Sequence, residues 1–521
     1  MMRWARRVLV AGTCFWASTT LGGVVLNVQD FGAVGDGTTL CTVAIQRAVD
    51  SCAARGGGTV LIPSGTYLTG TVVLRSHVTL RLENGATLLG STNLDDYPVH
   101  VPAYRSYTDN YTVRSLLYAE KAEDVAILGQ GQIDGQGAVF SGPYKQRPYI
   151  LRFVECKGVT VRDVTFRDSA MWVQHYLACE DVIIGGVRVD SRVNKNNDGI
   201  DIDSCSRVRI SDCAIHSGDD ALVLKATSGR ACRDVVVTNS VLSSDCNALK
   251  LGTESNGGFQ NIAIANCTIV DTKLAGLCLE EVDGGILSGV SVQGLVMDGV
   301  GCPIFIRLGN RARPYLKGAP KPGVGELRNV VIENVQATAV TDSVGCSITG
   351  IPGHPVENVT LRDIRLELLG GGQPGSVRLD VPEQERAYPE YRMFGLLPAY
   401  AFFVRHARNV KFENVQATYT VPESRPALVA QDVQELVLDA FQALAPSAGR
   451  PLLWFVDVRR GLITGTQLPG ATKRFLRLDG GRSSDVNLFS NDFSNVGEIV
   501  RLGRGVPSET VRLKGNVLRG R

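Results

Sequence analysis

GVTVRDVTF at 158–166, DVIIGGVRV at 181–189, RVRISDCAI at 207–215, DVVVTNSVL at 234–242 and NIAIANCTI at 261–269 repeat one phrase at steps of 23, 26, 27 and 27 residues. Each copy holds two short runs of alternating apolar residues broken by Asp, Asn or Gly. That reads as strand–turn–strand, too short for a helix. A unit of two or three short strands cannot bury its apolar face alone, so successive copies must stack, each strand bonding to its equivalent one coil away. The repeat therefore predicts an all-β chain folded as a right-handed parallel β-helix, with coils about 4.8 Å apart.

The same phrase returns earlier, as HVTLRLENG at 77–85 and DVAILGQGQIDG at 124–135, and later, as RNVVIENV at 328–335, ENVTLRDI at 357–364, RNVKFENV at 408–415, QELVLDAF at 434–441 and ETVRLKGN at 509–516. One β-helix domain is thus expected over 24–521, with 441–521 as its terminal coils. Leucine-rich and propeller arrays are the competing repeats, and neither the leucine spacing nor a Trp-Asp signature is present. The open end of a stack exposes strand edges that need a cover. A short N-terminal capping helix answers this: after DGTT, residues 40–54 place Cys41, Ala44, Ile45, Ala48, Val49 and Cys52 on one helical face, closed by Gly56–Gly58. Two stretches break the rhythm, the basic NRARPYLKGAPKPGV at 310–324 and 371–400, which contains EQERAYPEYRMFGLLPAY. Both read as long loops of the kind that border binding grooves, and Tyr388, Tyr391 and Phe394 favour the second.

With 54 basic and 52 acidic residues the net charge is +2, so no global field attracts a polyanion, and nucleic acid is not an expected partner. Residues 1–23 read as an export signal: Arg3, Arg6 and Arg7, an apolar run from Val8 to Ala17, then small residues. The run is too short to span a bilayer, so a secreted or periplasmic protein without stable membrane insertion is expected, and a monomer. Of thirteen cysteines, Cys14 leaves with the signal; Cys179, Cys205 and Cys232 recur once per repeat and read as buried free thiols. There is no CxxC pair or Cys/His cluster, and neither metal nor cofactor is expected.

The chemistry is carried by NNDGIDID at 196–203 and SGDDALVLKA at 217–226. They lie about one coil apart, so stacking brings Asp198 and Asp201 beside Asp219 and Asp220. Cleaving a glycosidic bond needs an acid and a base flanking the linkage, about 6.5–9.5 Å apart for inversion, and crowded carboxylates drive their protonation states apart. Asp alone is common at β-helix turns, and Asp203 is read as such a turn residue. Two adjacent acids in a strand-like run are harder to explain structurally. Trp172 and His175 in MWVQHY precede the acids by one coil and suggest a sugar platform; Glu254 in GTES is a further candidate for the groove.

These residues resemble glycoside hydrolase family 28, the polygalacturonases and their relatives. The likeness begins at FGAVGDGTT (31–39), runs through AIQRAVDSCAARGGGTVLIPSGTYLTG (44–70) and SAMWVQHYLACEDV (169–182), and is most specific at Asn196-Asn197-Asp198, Asp201 and Asp219-Asp220. It implies that Asp219 protonates the leaving oxygen while Asp198 and Asp220 activate water, with inversion, on a pectic polysaccharide or oligosaccharide. Two departures stand out. The family's Gly-His-Gly reads Cys246-Asn247-Ala248 here, and its Arg-Ile-Lys, which grips a galacturonate carboxylate, reads Cys278-Leu279-Glu280. A carboxylate in place of an ammonium reverses the sign there, so a substrate other than plain homogalacturonan, such as rhamnogalacturonan or decorated pectin, is expected. Asp201, Asn196, Asn247, Lys250, Glu280, Trp172, His175 and Arg307 are the candidate substrate-binding residues, with Lys250 and Arg307 as candidates to restore positive charge. A β-helix polysaccharide lyase that uses calcium and a non-catalytic carbohydrate-binding β-helix are the alternatives.

Overall fold

The computed structural model describes residues 23–518. The export signal read at 1–23, with Cys14, lies outside the described residues apart from Gly23. Nearly every strand joins one parallel sheet system that winds as a right-handed β-helix. Through the middle of the chain each coil contributes three short strands, and three columns result. The first runs through Tyr149–Val154, Gln174–Leu177, Ile200–Asp203, Leu222–Ala226 and Leu249–Ser255. The second stacks Lys157–Arg162, Glu180–Gly185, Ser206–Ser211 and Cys232–Thr238, and the third Thr165–Arg167, Arg188–Ser191, Ala214–Ser217 and Val241–Ser244. From Phe259 onward the corners straighten into long bent strands, Phe259–Glu281 pairing along its length with Ile286–Leu308.

Period-two alternation explains the core. Val159, Val182, Val208, Val235 and Ile262 share one register position and are buried, as are Val161, Ile184, Ile210, Val237 and Ile264 two residues on. Each apolar side chain lies on its equivalent from the coil below, which removes it from water. The twelve cysteines among the described residues are unpaired, eleven of them buried, and Cys179 and Cys205 stack as small core residues on adjacent coils.

The corners explain the Asp/Asn that breaks each phrase. Asn329, Asn358 and Asn409 adopt positive φ, which Asn tolerates better than most residues. Their side chains form a ladder: Asn409 donates to Asn358 (2.9 Å), Asn358 to Asn329 (3.0 Å) and Asn329 to the Ser288 hydroxyl (3.1 Å). At the N-terminal end the helix Thr42–Ala54 buries Ala44, Ile45, Ala48, Val49 and Cys52 against the first coils, as the sequence pattern requires. Strands continue to Val517–Leu518.

Four irregular excursions leave the coils: 91–114, 135–148, 309–325 and 371–401. All four reach the outer face of the first column. The last is strapped down by side chains of three coils: Arg405 donates to the carbonyls of Val381 (2.6 Å) and Pro382 (3.1 Å), Gln431 to Leu379 (2.9 Å) and Arg307 to Glu383 (2.7 Å). This corrects the expectation for Arg307. Its guanidinium also donates to the Gly350 carbonyl (2.9 Å) and the residue is fully buried, so it serves the strap and is not part of the site below.

Candidate active site

Register sets the site. Ile200 pairs with Leu222 and Leu222 with Leu249, and just before these strands the backbones are locked: Gly199 N–H donates to the Asp220 carbonyl (2.9 Å), and Val173 N–H to that of Asp198 (2.8 Å). Asp198 therefore lies between the coil of Trp172 and the coil of Asp220. Asp198, Asp219, Asp220, Asn196, Trp172 and Glu254 line one pocket of about 340 Å³, at the small end of ligand sites.

Asp219 and Asp220 have opposite surroundings. Both oxygens of Asp220 are engaged, Oδ1 by Asn247 Nδ2 (2.8 Å) and N–H (3.2 Å), Oδ2 by Lys250 Nζ (2.9 Å). Burial alone would raise its pKa, yet Lys250, Lys225 and Asn247 outweigh it and hold the carboxyl below its ordinary value. Asp219 lines the pocket; its Oδ1 accepts from the Asp220 N–H (3.0 Å) and its Oδ2 from Asn196 Nδ2 at 3.4 Å, and the Cys246 thiol lies beside it. Burial first, and then the neighbouring Asp220 charge, raise its pKa. The surroundings thus push the two neighbours' pKa values apart, Asp219 up and Asp220 down. An oxygen from each, with Cys246 Sγ, falls within 4.8 Å. Lys250 already provides Asp220 with a positive partner.

The sequence reading missed the cation that organises the rest. Lys225, buried at the end of SGDDALVLKA, holds Nζ 3.4 Å from Asp198 Oδ2, 3.6 Å from Asp201 Oδ1 and 3.8 Å from Glu254 Oε2. It also stands 4.6 Å from the Trp172 ring centre. Burial, and then Asp219, raise the pKa of Asp198 well above the ordinary range; Lys225 opposes them. Asp201 is raised by burial and by Asp198, and among the described residues its oxygens accept no hydrogen bond. It lies beneath Lys225 and does not line the pocket. The signal for Lys225 was available, since its outward register position beside Asp203 is unusual for Lys in an apolar run.

Three further expectations are corrected. His175 is fully buried and cannot be an exposed platform; its Nε2 lies 3.2 Å from Asp203, and burial pushes its pKa down to about 4, so the ring is neutral. Asp203 is a buried hub that accepts from Thr227 N–H (2.9 Å), Thr227 Oγ1 (2.5 Å) and Ser204 Oγ (2.9 Å) as well. Glu280 does not reach the pocket either. It is buried, accepts from Thr253 Oγ1 (3.1 Å), and burial raises its pKa to about 7 against the pull of Lys250. Trp172 lines the wall, and Asn247 acts behind Asp220. Of the long loops, 371–401 delivers Tyr388, whose hydroxyl is 3.3 Å from Lys250 Nζ, and 309–325 delivers Arg313, which pairs with Glu254. Tyr107 and Tyr111 come from 91–114, where no repeat or motif announces them.

The model of the family described as glycosyl hydrolases family 28 matches residues 52–382, more than half the chain. A protein named "Probable polygalacturonase" from Vitis vinifera is 29% identical over 66% of this chain and 74% of its own length. The "Exo-poly-alpha-D-galacturonosidase" of Dickeya chrysanthemi is 28% identical over 51% of this chain and 54% of its own. Among solved structures, an exopolygalacturonase from Thermotoga maritima superposes with a TM-score of 0.56 at 24% identity, covering 67% of this chain and 90% of that one; this likeness concerns the fold. With the carboxylate cluster where the repeat places it, the chain belongs to glycosyl hydrolases family 28 and is a glycoside hydrolase.

Proposed function

We propose that this protein hydrolyses an O-glycosidic bond of a pectic polysaccharide or oligosaccharide, with Asp219 as general acid and Asp198 and Asp220 as the groups that activate water. The observation that carries the reading is the contrast between two adjacent carboxyls that both line the pocket. Asp220 has both oxygens engaged by Asn247 and Lys250, which favour its ionised form, while burial and the Asp220 charge favour the protonated form of Asp219. In the reaction Asp219 gives its proton to the leaving oxygen as the bond to the anomeric carbon breaks. A carboxylate on the Asp198/Asp220 side takes a proton from the attacking water, whose oxygen bonds that carbon. Inversion rests on family membership, and the anomer first seen by NMR tests it. Asp219→Asn should abolish most turnover in a folded protein; unchanged hydrolysis would reject the assignment and favour the binding-protein reading.

A substrate other than plain homogalacturonan is part of the proposal. The cations that reach the carboxylate cluster are already engaged, Lys225 by Asp198 and Glu254, Lys250 by Asp220, and Arg313 by Glu254. A galacturonate carboxylate at the cleavage point would meet protein acids before an unpaired cation, which favours a neutral sugar there. Comparing rates on rhamnogalacturonan and polygalacturonate fragments tests this. A chelator should leave the rate unchanged, and an unsaturated product absorbing in the ultraviolet would instead indicate a lyase. Export through the N-terminal segment is proposed on its basic flank and apolar run; the N-terminus of protein recovered outside the cytoplasm checks it.

A further inference from the structure

The pocket has a wall that the catalytic reading does not use. On one flank Arg313 pairs with Glu254 and stacks its guanidinium 3.6 Å from the Tyr107 ring centre. Tyr107 meets Tyr111 edge-on at 5.7 Å, and Tyr111 meets Tyr144 at 5.1 Å. Tyr144 lies 4.9 Å from the guanidinium of Arg147, which on the opposite flank donates to Asn196 Oδ1 at 3.0 Å. Every link is a ring, guanidinium or hydrogen-bond contact, so the belt runs unbroken from one flank to the other. It also joins excursions that start far apart in the chain: 91–114, 135–148 and 309–325.

Both ends of the belt stop at groups that touch the reacting carboxylates. Asn196 donates to Asp219, and Glu254 lies 3.8 Å from the ammonium that binds Asp198. The belt is anchored as well as continuous. The Tyr107 N–H donates to the Thr227 carbonyl (2.8 Å), Tyr104 bonds Ser228 (2.9 Å), the Tyr111 hydroxyl donates to Glu254 (3.4 Å), and Asn194 Nδ2 holds the carbonyls of Gly137 (3.0 Å) and Phe140 (2.7 Å). Tyr107, Tyr111 and Tyr144 all line the pocket that holds Asp198, Asp219 and Asp220.

We infer that this belt is the closed end of the binding site, so that the enzyme accepts its polysaccharide only by a chain end and removes short units from it. The inference rests on the hydrolase reading above and adds the mode of attack. Tyr107, Tyr111 and Tyr144, which line the pocket, become specificity-determining residues for the terminal sugar.

The test follows product size during digestion of rhamnogalacturonan and polygalacturonate by the full chain, with viscosity and reducing ends measured together. The wild type should release one short product from the first time point, with little viscosity loss per bond cut. Tyr107→Ala combined with Tyr144→Ala should raise viscosity loss per bond cut severalfold and yield a range of intermediate oligomers. A spread of intermediates from the wild type at early times overturns the inference even if the double variant fails to fold. So does a folded double variant whose product pattern is unchanged. Absence of hydrolysis of both polymers by the wild type instead removes the proposed function on which the inference stands.

Discussion

Replacing Lys225 by Met isolates the ammonium that Asp198, Asp201 and Glu254 share. At 3.4 Å from Asp198, and with an effective dielectric constant of about 20, the lost attraction is on the order of 5 kcal/mol. Converted at about 1.4 kcal/mol per pK unit, that is an upper bound of roughly 3.5 units. Lys250 also acts on Asp198, and water entering beside a shorter side chain screens the rest, so an upward movement of about 1–2 units is expected. The sign is fixed. Lys225 opposes the rise in the Asp198 pKa, so its loss raises that pKa further, and a base that must be ionised becomes active only at higher pH. The acidic limb of the kcat/KM profile should therefore move up by about 1–2 pH units, with Lys225→Arg restoring most of it. Removing one partner of a buried pair costs about 3–5 kcal/mol of stability, so thermal melts must confirm that the variant is folded. A folded Lys225→Met enzyme that is slower at every pH, with its acidic limb unmoved, would show that Lys225 only fills space.

Other outcomes follow from the same geometry. Asp219→Asn and Asp198→Asn should each lower kcat by about 10²–10⁴-fold, with circular dichroism unchanged. Lys250→Met should raise the pKa of Asp220 and move the acidic limb upward as well, read from the same profile. Glu280 has a folded pKa of about 7, above its ordinary value of 4.5. Its stabilising contribution is complete below about pH 4.5 and is lost as pH rises through 7, a change on the order of 3 kcal/mol. Glu280→Gln should remove that loss, so denaturant melts at pH 5 and pH 8 should differ less than in the wild type. Asn358→Ala takes a middle rung from the corner ladder and leaves Ala at positive φ; a cost of about 1–3 kcal/mol is expected in chemical denaturation.

Whatever repeats along the chain could be read from the sequence alone. The stacked phrases fixed strand, turn and coil because each copy must bury the same face against the next, and the same logic placed Asp198 one winding from Asp219 and Asp220; the apolar helical face within 40–54 placed the capping helix. What faces the pocket depended on contacts between segments with no common period. His175 and Asp201 share an outward register position that would be open on a bare β-helix, yet both are buried, with Tyr149 and Trp172 against the His175 ring and Lys225 over Asp201. Arg307 lies in a well-formed repeat strand, but besides the Gly350 carbonyl its guanidinium bonds the Glu383 carbonyl of the strap. Tyr107, Tyr144 and Arg313 meet only because three irregular loops of different coils converge. Periodic burial is a local rule and is written in the residues. The closure of a site by loops is a long-range packing outcome, decided when the folded coils bring those loops together.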